Sequence, residues 1–324
     1  MAPRKNVSTP VIAIFGPTAS GKSAVAEALA ERLSADLVSA DSMQVYRGLP
    51  ILTNQPSRPT RLVAIWDLDH EASVGEYARL AHAAVDEIAG AGQTPVVVGG
   101  TGLYLRAALV DLALPPVPEP GIRARFERIY DRLGPGRAHD LLAENDRAAA
   151  ARIHPNDRRR VVRALELAEG GQTLVPPRDR LWSEETRSPT FVFGLEVPKE
   201  TLARRIEART PEMFERGVEE EVARAVAGPL SNTAGQVIGL REVAELPHEE
   251  AIAAINQRTV RYAAYQRKWM RRIPGLISVP ADRPPERVAG DILASVERFT
   301  LLGGQEPARS GVRKGEADHT GHAV

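Results

Sequence analysis

The sequence predicts an α/β protein in which a parallel sheet carries an inserted helical region, and three observations support this. Short apolar runs alternate with stretches of helical spacing in the N-terminal part, each run stopping at a Gly- or Asp-containing turn. A stiff Pro-rich hinge, Leu114-Pro115-Pro116-Val117-Pro118-Glu119-Pro120-Gly121, breaks the alternation, and an almost purely helical pattern follows. After Pro189 an apolar run resumes the sheet.

Taken in order, Val11–Phe15 is a continuous apolar strand that ends at Gly16-Pro17, and Val25, Leu29 and Leu33 space a helix over 24–33. A second strand over 36–40 ends at Asp41. A third over 95–98 ends at Gly99-Gly100-Thr101-Gly102, before a helix over 103–110. Beyond the hinge, Ile122, Phe126, Ile129, Tyr130 and Leu133 form one amphipathic face. Asn156 opens a second helix that turns Val161, Val162, Leu165 and Ala168 inward, and Pro176-Pro177 marks a further break. One more strand over 191–197 precedes helices that run to about residue 300. The tail over 302–324 is polar, Gly-rich and aperiodic, as in disordered segments. The expected organisation is a first core part over 1–115, a helical insertion over 116–190, completion of the core over 191–300, and the tail.

With 324 residues, 42 Lys+Arg against 42 Asp+Glu, and 43% hydrophobic residues, the chain can bury a sizeable core and carries no global attraction for nucleic acid. It has no cysteine, which excludes disulfides, thiolate metal sites and a cysteine nucleophile. No apolar run approaches the roughly 18–20 residues of a membrane helix, so a cytoplasmic protein without a membrane partner is expected. No coiled-coil seam is evident, and a monomer is expected.

Gly16-Pro17-Thr18-Ala19-Ser20-Gly21-Lys22-Ser23 fits G-x-x-x-x-G-K-[ST] and lies, as that motif requires, between an apolar strand and a helix. Its glycines let backbone N–H groups converge on phosphate oxygens, Lys22 adds a point charge, and Ser23 can hold Mg²⁺. A di- or triphosphate group is the expected ligand. Asp41 and Thr101 lie just past strand ends, where open parallel sheets bind ligands. A carboxylate there either binds Mg²⁺ or takes a proton from a nucleophile, and a hydroxyl can donate to a leaving oxygen. Capping or turn formation is the structural alternative for both. Val96-Val97-Val98 ends in glycine rather than an acidic residue, which disfavours a motor or switch NTPase.

Two basic clusters stand out. The stretch over 119–190 carries its positive charge on arginine alone, and Arg159 and Arg163 lie i,i+4 with Arg160 adjoining, suited to phosphates or splayed bases. Arg258, Arg261, Tyr265, Lys268 and Arg272 recur at spacings 3, 4, 3, 4, beside a core seam of Ile252, Ile255, Tyr262, Trp269 and Ile273. Such a stripe fits an RNA backbone, and a plain solvated face is the alternative.

Five motifs in order resemble those of the tRNA dimethylallyltransferases: the phosphate loop, Ser39-Ala40-Asp41-Ser42-Met43-Gln44-Val45-Tyr46, Val98-Gly99-Gly100-Thr101-Gly102-Leu103-Tyr104, Ile153-His154-Pro155-Asn156-Asp157 and Gln236-Val237-Ile238-Gly239. The resemblance implies a P-loop NTPase-like core with a helical insertion. It also implies transfer of a dimethylallyl group from dimethylallyl pyrophosphate to the exocyclic amine of adenosine 37 in the anticodon stem-loop of tRNA, with Mg²⁺. By motif, Gly16, Pro17, Thr18, Ala19, Ser20, Gly21, Lys22 and Ser23 would hold the pyrophosphate. Arg209, in an Arg-x-x-x-Met segment ending at Met213, would clamp it. Asp41 would accept the amine proton, and Thr101 would contact the bridging oxygen. Asp41, Ser42, Met43, Gln44, Thr101, Arg123, Arg159, Arg160, Arg163, Gln236, Gly239 and Arg241 match positions that contact tRNA.

The chain departs from most bacterial members after Tyr46, where Leu49-Pro50-Ile51-Leu52-Thr53-Asn54-Gln55-Pro56 replaces an Asp-Ile-Gly-Thr-Ala-Lys-Pro-like segment, and it lacks paired histidines near Thr60-Arg61. Two other enzymes fit parts of the pattern: an isopentenyltransferase acting on free AMP, ADP or ATP, and a P-loop small-molecule kinase.

Overall fold

Strands that are apolar along their whole length suit burial on both faces of a parallel sheet. The protein, seen as a computed structural model that describes residues 9–115, 121–175 and 180–301, builds five parallel strands into one sheet. β1 (Val11–Phe15) is apolar and buried throughout and pairs with β3 (Thr94–Gly99) and β4 (Thr190–Glu196). β2 (Ala35–Ser39) and β5 (Ile277–Pro280) complete the order β2-β3-β1-β4-β5. Alternate residues serve opposite faces. Val11, Ala13 and Phe15 pack with Val38 and Val97, whereas Ile12 and Ile14 pack with Leu37, Val96 and Phe193. α1 (Lys22–Arg32) covers the second face through Val25 and Leu29. On the first face lie α2 (Val74–Gly90), a helix beyond those predicted from the sequence, and α3 (Gly102–Leu109).

Between β3 and β4, α4 (Ile122–Asn145), α5 (Arg147–Ala150) and α6 (Arg158–Glu169) bury Phe126, Tyr130, Leu142, Val161, Val162 and Leu165 in a cluster of their own. α4 bends at Gly134 (φ 78°), just before Pro135, which cannot continue the helical hydrogen bonds. The second predicted helix opens later than expected. Asp157, not Asn156, is its cap and accepts from the Arg160 N–H at 3.2 Å. Ala168 is half-buried in the last turn, and Leu167 is buried in its place. Hinge residues 116–120, Pro176-Pro177 and the 302–324 tail lie outside the described residues.

The chain re-enters the core at a 3-10 turn, Arg180–Trp182, earlier than the expected boundary at residue 190. Arg106 of α3, 1% exposed, fastens it there. Its Nε donates to the Leu181 carbonyl at 2.8 Å, and its Nη2 donates to those of Ser183 and Arg180 at 2.6 and 3.1 Å. A backbone bond from the Arg187 N–H to the Leu109 carbonyl, 2.9 Å, brings the outgoing and returning chain side by side.

After β4 come α7 (Lys199–Glu215), α8 (Val218–Val226), α9 (Leu240–Glu245) and α10 (His248–Met270), whose Met213, Val222, Leu240 and Ile255 enlarge the first-face core. β5 interrupts a stretch predicted to be helical. With four residues and only Val279 buried, it is too short for a period-2 pattern to register. α11 (Pro285–Leu301) returns to the second face through Val288 and Ile292. Among the described residues no helix is long and apolar enough to cross a membrane.

Replacing Arg106 with Met would keep the bulk and leave three carbonyls without their donor. A loss of about 3 kcal/mol is expected, seen as a lower urea midpoint at unchanged slope.

Candidate active site

The carboxyl ends of β1, β2 and β3 bring three loops to one place, the usual ligand position of an open α/β sheet. Leaving β1, the phosphate loop turns through Ala19 (φ 62°) and Gly21 (φ 85°) into the N-terminus of α1. Left-handed residues in such a turn aim successive N–H groups inward, where a helix N-terminus adds positive potential. Lys22 Nζ folds beneath the loop and donates to the Pro17 carbonyl at 2.8 Å. Burial lowers its pKa to about 8; the Asp41 charge works against this fall and Arg209 adds to it.

Arg209 reaches in from α7, with Nη2 at 3.4 Å from Thr18 Oγ1. Burial pulls its guanidinium below the usual arginine range. Among the described residues, two buried side-chain polar atoms have no hydrogen-bond partner, Ser20 Oγ and Arg209 Nε. Both residues line one cavity of about 530 Å³ together with Thr18, Lys22, Ser23 and Asp41. Orphaned donors beside a cationic loop match a ligand rich in anionic oxygen.

Asp41 and Thr101 are set against each other by backbone contact. The Thr101 N–H donates to the Ala40 carbonyl at 3.2 Å, and the Ser42 N–H donates to Thr101 Oγ1 at 3.0 Å. Thr101 precedes α3 without capping it by side chain, because its hydroxyl is already engaged. Asp41 does form a turn, its Oδ1 accepting from the Met43 N–H at 2.9 Å, and its carboxylate also lines the cavity. Thr101 meets the cavity through Tyr262 of α10, whose hydroxyl lies 3.3 Å from Thr101 Oγ1. Burial first, and then Asp41, push that phenol well above its ordinary pKa.

The opposite wall is apolar: Met43, Leu52, Met213, Ile238 and Ile255. The atypical 49–56 segment supplies Leu52 and is held from two sides. Glu221 of α8, 2% exposed, accepts from the Ile51 and Leu52 N–H groups at 2.9 and 2.8 Å. Gln44 donates to the Asn54 carbonyl at 2.9 Å while accepting from Ser39 Oγ at 3.0 Å.

A family model described as IPP transferase matches residues 44–273, well over half of the chain, and one described as isopentenyl transferase matches residues 9–61. The chain belongs to the IPP transferase family. A tRNA dimethylallyltransferase of Anaeromyxobacter dehalogenans is 41% identical over 292 residues, covering 86% of this chain and 97% of that relative. Another, of Streptomyces coelicolor, is 40% identical over 277 residues, covering 82% and 88%. Among solved structures, a tRNA isopentenylpyrophosphate transferase from Bacillus halodurans superimposes with a TM-score of 0.65 at 30% identity, covering 91% of this chain and 99% of its own. A eukaryotic dimethylallyltransferase shares the fold with a TM-score of 0.75 at 24% identity, covering 93% and 82%.

The other residues carried over from the family pattern fall into two groups away from the cavity floor. Arg123, Arg159, Arg160 and Arg163 lie on α4 and α6. Arg159 is exposed, and Arg160 sits 3.5 Å from Asp157. The expected Arg159 and Arg163 pair is divided. Arg163 turns to Glu166 at 2.9 Å, and Arg123 holds the same carboxylate at 2.9 Å.

Gln236 and Gly239 flank a turn against α10. The Gln236 carbonyl accepts from Arg258, and Gly239 (φ 97°) leads into α9, where Arg241 is exposed. On α10 Arg261, Tyr265 and Lys268 are exposed, whereas Arg258 is paired with Glu242 at 2.6 Å. Arg272, expected on the same stripe, lies past the end of the helix with its guanidinium 3.8 Å from the centre of the Trp182 ring. Three residues of the site lie outside every functional motif of the sequence: Gln266, Glu221 and Tyr262 with its hydroxyl. For Gln266 the clue was a neutral amide beside the apolar seam of a basic helix.

With its pKa lowered to about 8, Lys22 is charged below that pH, and a cation there would attract an anion in the loop. The part of the pyrophosphate affinity that depends on Lys22, measured by calorimetry against a Lys22→Met variant, is expected to be full below that pH and to decline as pH rises through it. A Lys22→Met variant would bind more weakly and lose that part of the pH dependence.

Proposed function

We propose that this chain transfers a dimethylallyl group from dimethylallyl pyrophosphate to the exocyclic amine of adenosine 37 in tRNA. The observation that carries this reading is a single cavity in which a cationic phosphate loop, a carboxylate and an apolar wall meet. A prenyl pyrophosphate needs all three: an anion site for its leaving group, an apolar surface for its chain, and a base beside the carbon that reacts. Relatives named tRNA dimethylallyltransferase at about 40% identity support the same assignment.

In the reaction the amine nitrogen attacks C1 of the dimethylallyl group, forming a C–N bond. The C1–O bond breaks with its electron pair leaving on pyrophosphate. Asp41 receives the amine proton, a modest requirement for so reactive an allylic carbon. The phosphate-loop N–H groups, Lys22, Arg209 and Ser20 Oγ hold the departing charge, and the Thr101 hydroxyl donates to the bridging oxygen. Leu52, Met213, Ile238 and Ile255 enclose the prenyl chain and exclude water from the electrophile.

Mg²⁺ fits the donors present. Ser23, which carries a hydroxyl, lines the cavity at the phosphate loop, and Mg²⁺ takes most of its remaining ligands from phosphate and water. Ser23 would hold it, and it would neutralise charge on the pyrophosphate. For the RNA, Arg159, Arg160 and Arg241 together with Arg261, Tyr265 and Lys268 offer exposed cations and an aromatic face.

Purified protein with Mg²⁺, dimethylallyl pyrophosphate and unmodified tRNA should give prenylated adenosine by nucleoside mass spectrometry, with no product from AMP or ATP. Product from free nucleotide alone would move the chain to the nucleotide-prenylating enzymes. In the same assay Asp41→Ala should lower the rate about 10²–10⁴-fold, and a fully active variant would remove the base assignment. Replacing both Arg261 and Lys268 with Ala should reduce the log–log salt dependence of tRNA affinity by about 2 while leaving pyrophosphate binding unchanged.

A further inference from the structure

Gln266 is 2% exposed, on a helix whose outer face carries Arg261, Tyr265 and Lys268. Its amide serves two loops at once. Oε1 accepts from the Thr18 N–H of the phosphate loop at 2.7 Å, and Nε2 donates to the Gly100 carbonyl at 2.9 Å. Thr18 lies where the pyrophosphate would be held, and Gly100 is joined directly to Thr101. A neutral amide presents an acceptor and a donor in one rigid plane, so it can take an N–H from one loop and give a hydrogen to a carbonyl of another. A carboxylate cannot donate to the carbonyl, an ammonium cannot accept from the N–H, and an apolar group would leave both backbone groups without this partner.

The room for this clasp is made on the other side by Gly100, where a Cβ would fall 2.2 Å from Gln266 Nε2. One helical turn away, Tyr262 reaches the Thr101 hydroxyl from the same helix. No charge on Gln266 and no reactive atom suggests a chemical step of its own. What it sets is the distance between the two loops.

We infer that Gln266 is a positioning residue for the transfer reaction, holding the Thr101 hydroxyl in register with the phosphate loop so that both grip the same pyrophosphate as its bridging oxygen takes up charge. This rests on the transferase reading above. The strength of such donors depends on placement in the transition state, where a shift of about 1 Å costs on the order of 100-fold. Gln266 therefore acts through Thr101, and its contribution to rate should vanish once the Thr101 hydroxyl is gone.

The test is a double-mutant cycle on kcat for tRNA prenylation, at saturating tRNA and dimethylallyl pyrophosphate, with wild type, Q266M, T101A and the double variant. Q266M should lower kcat about 10–100-fold with the KM for tRNA unchanged, and should cost less than about 3-fold further in the T101A background. Equal losses in both backgrounds, or a Q266M enzyme with the wild-type kcat, would overturn the inference. Q266N, whose shorter amide cannot span both loops, is read in the same way if Q266M does not fold. A wild-type chain that prenylates no tRNA is recognised before any variant is compared. That result removes the transferase reading, and the inference falls with it.

Discussion

Where β3 ends, its backbone lies so close to the chain leaving β2 that a Cβ on Gly99 would stand 2.0 Å from the Ala40 carbonyl oxygen. The approach is sealed by hydrogen bonds in both directions, Ala40 N–H to the Val98 carbonyl at 2.8 Å and Thr101 N–H to the Ala40 carbonyl at 3.2 Å. Asp41 directly follows Ala40 and Thr101 makes one of these bonds itself, so the contact determines how far apart the carboxylate and the hydroxyl can be. β1 is in register with the same point, Phe15 opposite Gly99, which places the start of the phosphate loop beside them. A side chain at Gly99 would separate all three loops at once. Such a position tolerates no bulk because the neighbour is backbone, which cannot rotate out of the way.

Much of this arrangement could be read in the sequence because it is written in local patterns. Apolar runs of strand length, the glycine-rich turn with its lysine, and helical spacing after each strand are properties of neighbouring residues. What could not be read was which distant groups meet. Gln266 stands 248 residues from Thr18, and helical periodicity says only that it faces inward, not which loop it will find there. Asp41 was legible as a strand-end carboxylate, but its turn bond to Met43 and its place in the cavity depend on the β2 and β3 pairing. β5 escaped for the opposite reason: it is too short to leave a pattern and is defined by its partner β4.

The basic surfaces show a related limit. A count of arginines on α6 suggests a uniform cationic face, yet Glu166, fully enclosed, takes Arg163 and Arg123 together across the α4 and α6 interface. A buried carboxylate needs such partners, so these two guanidiniums also serve the helical cluster from within. On α10, Glu242 occupies Arg258 in the same way. The cations exposed to an incoming polyanion are therefore fewer, and more precisely placed, than the sequence stripe implies, in a chain whose net charge is zero.

The backbone bond between Leu109 and Arg187 gives the helical stretch between them a narrow stem. Everything from α4 to α6 leaves and re-enters the sheet at nearly one point and buries its own cluster, so it joins the fold as a side branch grafted onto a trunk. Branches of this kind can lengthen, shorten or change their surface without disturbing strand pairing below the graft. Contacts made by the branch and chemistry carried out at the strand ends are thus free to vary separately. A short linker that replaced α4 to α6 but kept the 180–187 segment held by Arg106 would leave a chain with its sheet and phosphate loop but without the arginines of α4 and α6.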